Sequence, residues 1–441
     1  MPTEMQDQAI AEALETARAR YVAANPRSEE QHRKAAEVLP GGNTRTSLFS
    51  EPFPLTLVEA QGATLTSLDG RSYIDFLGEY TAGLYGHSNP ALRQAILEAL
   101  DKGWVMGGHI RHEEELARLI CKRFASIELV RFANSGTEAN LFAISTARAV
   151  TGRDKVVVFE GGYHGGVFTF GLTRSAMEAP FDFIKAPYND IEGTRALLDG
   201  HAAEIGSVIL EPMQGSAGCI PAEPEFLRML REWTTANGAL LIFDEVMTSR
   251  LSPGGLQALR GVTPDLTTLG KYIGGGFSFG AFGGRADLMA RFDPRRPDSF
   301  GHAGTFNNNV FTMAAGVVGL RDVYTAEAAA ALNARGDALR TRLNEVAGVA
   351  RFPMQFTGLG SMMNVHMQAG PIRQARDLLA GNATLRDLFF FDMLEQGIWL
   401  ARRGMINLSL PIGDAECEQL VKAVESFVER TDPLFTDTTS A

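Results

Sequence analysis

The sequence predicts an α/β fold: a mostly parallel central sheet with helices on both faces, joined to a smaller α+β domain. Three observations predict it. Between about residues 90 and 325, helical periodicity alternates with short apolar runs. Those runs are nearly continuous in Val, Ile, Leu and Phe, as strands buried on both faces require. Each is followed by glycine, hydroxyl or acidic residues, the makings of ligand-bearing loops at the C-terminal edge of an open sheet.

Residues from about 6 to 39 read as helix, with Ile10, Leu14, Ala17 and Tyr21 on one face, a break at Asn25-Pro26 and a stop at Pro40-Gly41-Gly42. Segments 55–58, 63–66 and 73–76 read as short strands around the turn Asp69-Gly70, a small meander. Helices over 91–100 and 113–124 lead into strands at 129–132, 155–159, 207–210 and 240–243. An alanine-rich helix from Thr325 to about Ala347, strands near 360–365 and 405–410, and a last helix from Asp414 form the smaller unit. The expected division is an N-terminal arm with part of the small domain at 1–75, a large domain at 76–325 and a small α+β domain at 326–441.

At 441 residues the chain is long enough for two or three units and a large core. Its 45% hydrophobic and 21% charged residues are ordinary globular values. A net charge of −11 argues against a nucleic-acid surface, which needs clustered Lys and Arg. Cys121, Cys219 and Cys417 are far apart and show no ligand spacing, so neither a disulfide framework nor a metal site is indicated, and a reducing cytoplasm fits. The start, Met1-Pro2-Thr3-Glu4, is acidic and lacks an apolar targeting stretch, and no run approaches the ~18 apolar residues of a membrane helix. A soluble protein that is not exported is expected.

The most informative segment is Leu269-Gly270-Lys271-Tyr272-Ile273-Gly274-Gly275-Gly276. A lysine among small residues admits the close approach of a flat ligand, and its amine can form a Schiff base with an aldehyde cofactor. The strand before it ends in Phe243-Asp244-Glu245, which brings acid to the same sheet edge; Asp244 is placed to hold the ring nitrogen of pyridoxal phosphate in its protonated form. Asn134-Ser135-Gly136-Thr137-Glu138 follows one strand and opens a helix, so Ser135, Gly136 and Thr137 can hold a phosphate at free N–H groups. The same residues also spell a plain capping box. Gly161-Gly162-Tyr163-His164-Gly165 holds an aromatic between glycines, Glu211 ends the strand 207–210, and Thr305 precedes a helix starting near Val310 as a second candidate phosphate ligand. Singly, each is also an ordinary turn or cap; five such loops on one sheet edge are harder to explain as independent turns.

In order and spacing, the segments Asn-Ser-Gly-Thr-Glu-Ala (134–139), Gly-Gly-Tyr-His-Gly (161–165), Phe-Asp-Glu-Val (243–246), Thr-Leu-Gly-Lys (268–271) and Gly-Thr-Phe (304–306) resemble the class III aminotransferases of the fold-type I pyridoxal phosphate enzymes. The resemblance covers nearly the whole chain. It implies Lys271 as Schiff-base lysine and proton carrier, Asp244 as pyridinium partner, and Ser135, Gly136 and Thr137 as phosphate cradle. It further implies Tyr163 on one ring face, Val246 beneath the other, His164 and Glu211 beside the cofactor, and a homodimer in which Thr305 reaches the neighbouring subunit's cofactor phosphate.

Within the class, Asn43-Thr44-Arg45-Thr46, the stretch from Glu79 to His87, Thr305 to Asn309 and Arg403-Gly404 look closest to bacterial β-phenylalanine (β-amino acid) aminotransferases. The stretch from Asp265 to Lys271 and that from Gly274 to Arg285 are also similar to glutamate-1-semialdehyde aminomutase. The transaminase reading implies transfer from a β-amino acid to 2-oxoglutarate or pyruvate, all of them acids for which arginine is the best bidentate partner. Arg45 matches the substrate-carboxylate arginine of the family. Arg403, preferred to the adjacent Arg402 for its place before Gly404, matches a second one. Tyr80 and Tyr85 are candidates for an aryl-accepting wall. The competing expectations are an intramolecular aminomutase and a cofactor-binding regulatory protein with a silent site.

Overall fold

The computed structural model describes residues 4–436. The N-terminal reading over Met1-Pro2-Thr3 and residues 437–441 of the expected small domain lie outside the described residues.

A seven-stranded sheet runs in the order Leu129–Ala133, Gly280–Gly284, Leu266–Gly270, Leu240–Asp244, Ile205–Leu210, Lys155–Phe159, Asp182–Ala186. All its strands are parallel save Gly280–Gly284, which is antiparallel to both neighbours. Alternation along the central strands sorts the core. Val156, Val158, Leu240 and Ile242 meet Ala139, Ala143, Ile144 and Ala147 of the helix Gly136–Thr151. Val157, Phe159, Leu241 and Phe243 meet Phe226, Leu227, Leu230 and Trp233 of the helix Pro224–Asn237 on the other face.

Three of these strands, Asp182–Ala186, Leu266–Gly270 and Gly280–Gly284, go beyond the four that the sequence pattern picks out. The last is Gly-Ala-Phe-Gly-Gly, poor in β propensity. Its glycines are there for close approach: a Cβ on Gly280 would lie 2.0 Å from the Ser135 carbonyl oxygen, and one on Gly284 2.1 Å from that of Asp265.

The meander forms, but with its register moved. Its strands are Leu57–Gln61, Thr64–Ser67 and Ser72–Asp75, because the hairpin turn at Gly62-Ala63, with Gly62 at φ 58°, takes Ala63 out of the strand. Ile398–Trp399, from the far end of the chain, adds a fourth strand parallel to Ser72–Asp75. The N-terminal helix Glu4–Ala24 buries the expected Ile10, Leu14, Ala17 and Tyr21 and packs on the helix Ala383–Glu395, Tyr21 meeting Phe391 at 5.3 Å. The helical stretch ends at Ala36, and Pro40–Gly42 form a single 3₁₀ turn. Strands Gln355–Leu359, Met362–His366 and Met405–Asn407 make a separate antiparallel sheet. Among the described residues no helix is long and apolar enough to cross a membrane, and Cys121, Cys219 and Cys417 are free thiols.

Candidate active site

A cleft of about 600 Å³ opens at the C-terminal edge of the large sheet. Strand alternation decides which acid enters it. Asp244, 3% exposed, lines the cleft; Glu245 turns away and accepts hydrogen bonds from Thr248 Oγ1 and the N–H groups of Leu256 and Gln257, capping a short helix. Only one carboxylate of the pair therefore reaches the site.

Asp244 is held from three sides. Asn140 Nδ2 and His164 Nδ1 both donate to Oδ2 at 2.8 Å, and the Val246 N–H donates to Oδ1 at 3.0 Å. Asn140 is fixed in turn by Thr268 Oγ1, which donates to its Oδ1 at 2.7 Å. Each carboxylate oxygen accepts two hydrogen bonds, so Oδ1 keeps room for one more donor. Asn140 and Thr268 were not picked out from the sequence, although Thr268 opens the motif 268–271 and Asn140 directly follows the motif 134–139.

Lys271 follows Gly270 at the end of its strand and has φ 54°, left-handed for a residue with a Cβ, a conformation that costs about 1–3 kcal/mol and clusters at functional sites. Burial pulls its amine down to about 8, with Arg403 and Arg45 pushing the same way against Glu79 and Asp244. Glu211 shows the opposite effect: burial pushes it up to about 7, with Asp244 adding and His164 opposing. Its two oxygens accept the N–H groups of Tyr163 at 2.9 Å and Gly215 at 3.0 Å, fixing the turn that presents Tyr163 to the cleft.

Ser135 caps the helix Gly136–Thr151, its Oγ accepting the Glu138 N–H at 3.1 Å. The N–H groups of Gly136 and Thr137 have no acceptor within the helix. A Cβ on Gly136 would meet Val246 at 2.9 Å, and one on Gly165 would meet the Thr137 hydroxyl at 2.2 Å, so small residues keep this corner open to a ligand. Ser135, Gly136, Thr137, Tyr163, His164, Glu211, Val246, Asp244 and Lys271 all line one cleft.

The outer wall comes from distant segments. Arg45 and Arg403 both line the cleft. Arg45 Nη1 pairs with Glu79 Oε1 at 2.7 Å, both side chains about half exposed. Arg403 lies 5.0 Å from the centre of the Tyr80 ring and donates to Ser216 Oγ at 3.2 Å. Arg402 points elsewhere, to Asp387; the two arginines are the central residues of a turn closed by the Gly404 N–H donating to the Ala401 carbonyl at 2.7 Å. Gly78, Glu79, Tyr80 and Thr81 have φ of 53°, 46°, 51° and 82°, a left-handed turn that sequence reasoning missed. Asp75 holds its entry, Oδ1 accepting the N–H groups of Leu77 and Gly78 at 2.9 Å and Oδ2 meeting His87 Nε2 at 2.9 Å.

Tyr85, expected in the cleft wall, is elsewhere, and Thr305, expected at a neighbouring subunit's cofactor phosphate, is also outside this cleft. Tyr85 is 4% exposed, packs against Tyr272 at 6.3 Å and is not part of the cleft wall. The left-handed turn reverses the chain between Tyr80 and Tyr85 and sends only the first to the cleft. Thr305 lies on an exposed loop outside this cleft, beside a separate depression lined by Trp104, Met106 and Phe306, whose side chains are exposed.

The aminotransferase class-III family model matches residues 47–428. The chain is 54% identical over 420 residues to the β-phenylalanine transaminase of Variovorax paradoxus, covering 95% of this chain and 96% of that one. The crystal structure of a β-phenylalanine aminotransferase from the same organism matches with a TM-score of 0.95 at 53% identity, covering 96% and 99%. A glutamate-1-semialdehyde 2,1-aminomutase of Nitratidesulfovibrio vulgaris is 38% identical over 393 residues, covering 85% and 92%. A solved transaminase with pyridoxal phosphate bound matches with a TM-score of 0.86 at 31% identity, covering 93% and 99%. With the family matched over most of its length and its motifs gathered at one sheet edge, the chain belongs to the class III aminotransferases.

Proposed function

We propose that the chain is a pyridoxal phosphate-dependent transaminase that takes the amino group of a β-amino acid such as β-phenylalanine and passes it to 2-oxoglutarate or pyruvate. The observation that carries this reading is a lysine amine drawn down to about 8 in one cleft with a triply bonded aspartate and two arginines. Identity of 54% to a β-phenylalanine transaminase supports the donor class.

The residues present fit the cofactor. Asp244 Oδ1 has capacity for a ring N–H, and Gly136 and Gly165 leave the helix N-terminus open where a Cβ would fill it. When bound, pyridoxal phosphate supplies an electron sink for a carbanion and carries the amino group between half-reactions. Ser135, Gly136 and Thr137 would hold its phosphate, Tyr163 and Val246 would bracket its ring, and Asp244, oriented by Asn140 and His164, would keep its nitrogen protonated. Lys271 Nζ, neutral above about 8, accepts a proton from the substrate carbon and returns it during transfer. Arg45 binds the donor carboxylate and Arg403 that of the acceptor, while Tyr80 lines the space between them. Thr305 serves the phosphate of a second subunit in a cytoplasmic homodimer. The division into 1–75, 76–325 and 326–441 is part of this proposal, supported by the pairing of Ser72–Asp75 with Ile398–Trp399.

Single-turnover spectra test it. β-Phenylalanine enantiomers should bleach the visible cofactor band, and 2-oxoglutarate or pyruvate should restore it. No spectral change with any β-amino acid would refute the donor assignment. Conversion of glutamate 1-semialdehyde without an added acceptor would move the chain to the aminomutase reading.

A further inference from the structure

We propose that Asp75, outside the cleft, is a positioning residue for substrate recognition. Through the left-handed turn Gly78–Thr81 it holds Tyr80 against Arg403 and against the segment that carries Arg45, and so sets both arginines at once. The inference rests on the reading of those arginines above and goes beyond it by naming what holds them.

Asp75 ends the strand Ser72–Asp75 and is 4% exposed. Both of its carboxylate oxygens are engaged: Oδ1 accepts the N–H groups of Leu77 and Gly78 at 2.9 Å, and Oδ2 lies 2.9 Å from His87 Nε2. Its own N–H donates to the Ala63 carbonyl at 2.7 Å, and the Phe76 N–H to that of Trp399 at 2.8 Å, so the four-stranded sheet fixes its place. The turn that follows is strained, with Glu79, Tyr80 and Thr81 at φ 46°, 51° and 82°. Such a conformation persists only where its surroundings over-determine it. Thr81 Oγ1 is buried without a partner among the described residues, so that side chain lends no support. The hold is at the entry, on Asp75 and on Asn407, whose Nδ2 donates to the Leu77 carbonyl at 2.9 Å.

Tyr80 passes that hold to the two arginines. Its ring centre lies 5.0 Å from the Arg403 guanidinium carbon. Its hydroxyl donates to the Ser47 carbonyl at 2.9 Å, in the short turn Thr46–Leu48 that Arg45 begins, where the Leu48 N–H closes on the Arg45 carbonyl at 3.0 Å. An arriving carboxylate can take Arg45 from Glu79 while both Tyr80 contacts stay in place. Were the turn to act through Glu79 alone, its loss would release Arg45 and strengthen carboxylate recognition; a role through Tyr80 requires the opposite sign.

The test mixes holoenzyme with aminooxyacetate, whose amine and carboxylate are spaced as in a β-amino acid, and with O-ethylhydroxylamine, its uncharged counterpart. Each turns the cofactor aldehyde into an oxime, read as loss of the visible band. In Asp75→Ala the ratio of the two rates should fall about fivefold or more, the scale of one lost cation–π contact, with the O-ethylhydroxylamine rate unchanged. Asp75→Asn, whose amide oxygen still accepts the two N–H groups, should keep most of the ratio. Hydrogen exchange of the apoprotein should quicken over residues 77–83 in Asp75→Ala and stay as it was over Leu266–Gly270. In turnover, the KM values of a β-amino acid and of 2-oxoglutarate should rise together with kcat retained. Equal losses for both probes, faster exchange spreading into the large sheet, an unchanged or raised ratio, or one KM moving alone would overturn the assignment. Should Asp75→Ala fail to fold, His87→Ala, which removes only the outer support, decides by the same selective loss. Failure of β-phenylalanine to bleach the wild-type enzyme would strike the donor reading alone, since the aminooxy ratio still reports on the arginines. A wild-type ratio equal to that of free pyridoxal phosphate would remove the role of the arginines, and that of Asp75 with it.

Discussion

Asp244 ends a strand of the large sheet, Asn140 lies on the helix Gly136–Thr151 and His164 follows the short strand Gly162–Tyr163; each is at most 3% exposed, and they are bonded to one another. Arg45, Glu79, Tyr80 and Arg403 come from segments at the two ends of the chain, and the Arg45–Glu79 pair keeps about half its surface in solvent. The inner wall is built to stay fixed and the outer wall to be remade. The proposed chemistry explains the contrast: electrostatic stabilisation needs partners organised in advance, whereas one pocket that takes two different acids in turn needs cations that can change partners.

If this division holds, damage to the inner wall should destroy rate and damage to the outer wall should redistribute specificity. The largest effect is expected for Lys271→Ala. It removes a group whose acid–base share alone is roughly 10²–10⁴-fold, so turnover should fall by more than that with the fold intact by circular dichroism. A tenth of wild-type activity would refute the role. Asp244→Asn should keep bound cofactor yet lower kcat by roughly 10²–10³-fold, the scale of one lost preorganised electrostatic partner. A change confined to KM would place Asp244 outside the chemistry.

The inner wall was also the legible one. Its residues sit immediately after strands, in glycine-flanked motifs whose spacing is set by the βα repeat, so Lys271, Asp244, Ser135 and Tyr163 could be named from sequence. Asn140 and Thr268 escaped because which face of a helix or strand meets Asp244 depends on packing, not on local pattern. On the outer wall, Glu79 was invisible because no propensity scale anticipates four successive positive φ values. The same turn misled the reading of Tyr85, and the strand Gly280–Gly284 was hidden by its glycines.

The arginines sharpen the comparison at the next level of effect. Arg45→Ala should impair cofactor reduction by β-amino acids and Arg403→Ala re-oxidation by 2-oxoglutarate. Half-exposure of Arg45 puts its loss near the bottom of the ~2–5 kcal/mol range for truncating one partner of a desolvated pair. Equal effects of both variants on both half-reactions, read by single-turnover spectra, would sink the division of labour. A smaller effect is expected from pH. The Lys271 amine near 8 is protonated below that value and nucleophilic above it. Loading of apoprotein with pyridoxal phosphate should therefore rise about tenfold from pH 7 to pH 9 and then level off. A rate still climbing in proportion to hydroxide above pH 9 would mean an unperturbed lysine.

The smallest effect, and the one that best tests whether the outer wall exchanges partners, is expected from Glu79→Gln. Glu79 pairs with Arg45 and is also the charge that contributes most to holding the Lys271 amine up. If the pair is a placeholder for substrate, neutralising Glu79 frees Arg45 and the KM of a β-amino acid donor should fall by about two- to fivefold. That corresponds to ~0.4–1 kcal/mol, within the range of an exposed ion pair. The same substitution should let the Lys271 amine drop further, moving the rise in cofactor loading to lower pH. The two readouts separate two roles for one carboxylate. A lower KM with a shifted profile means that Glu79 competes with substrate; a higher KM with the same shift means that it orients Arg45, which would make the outer wall as preorganised as the inner one and remove the contrast between them.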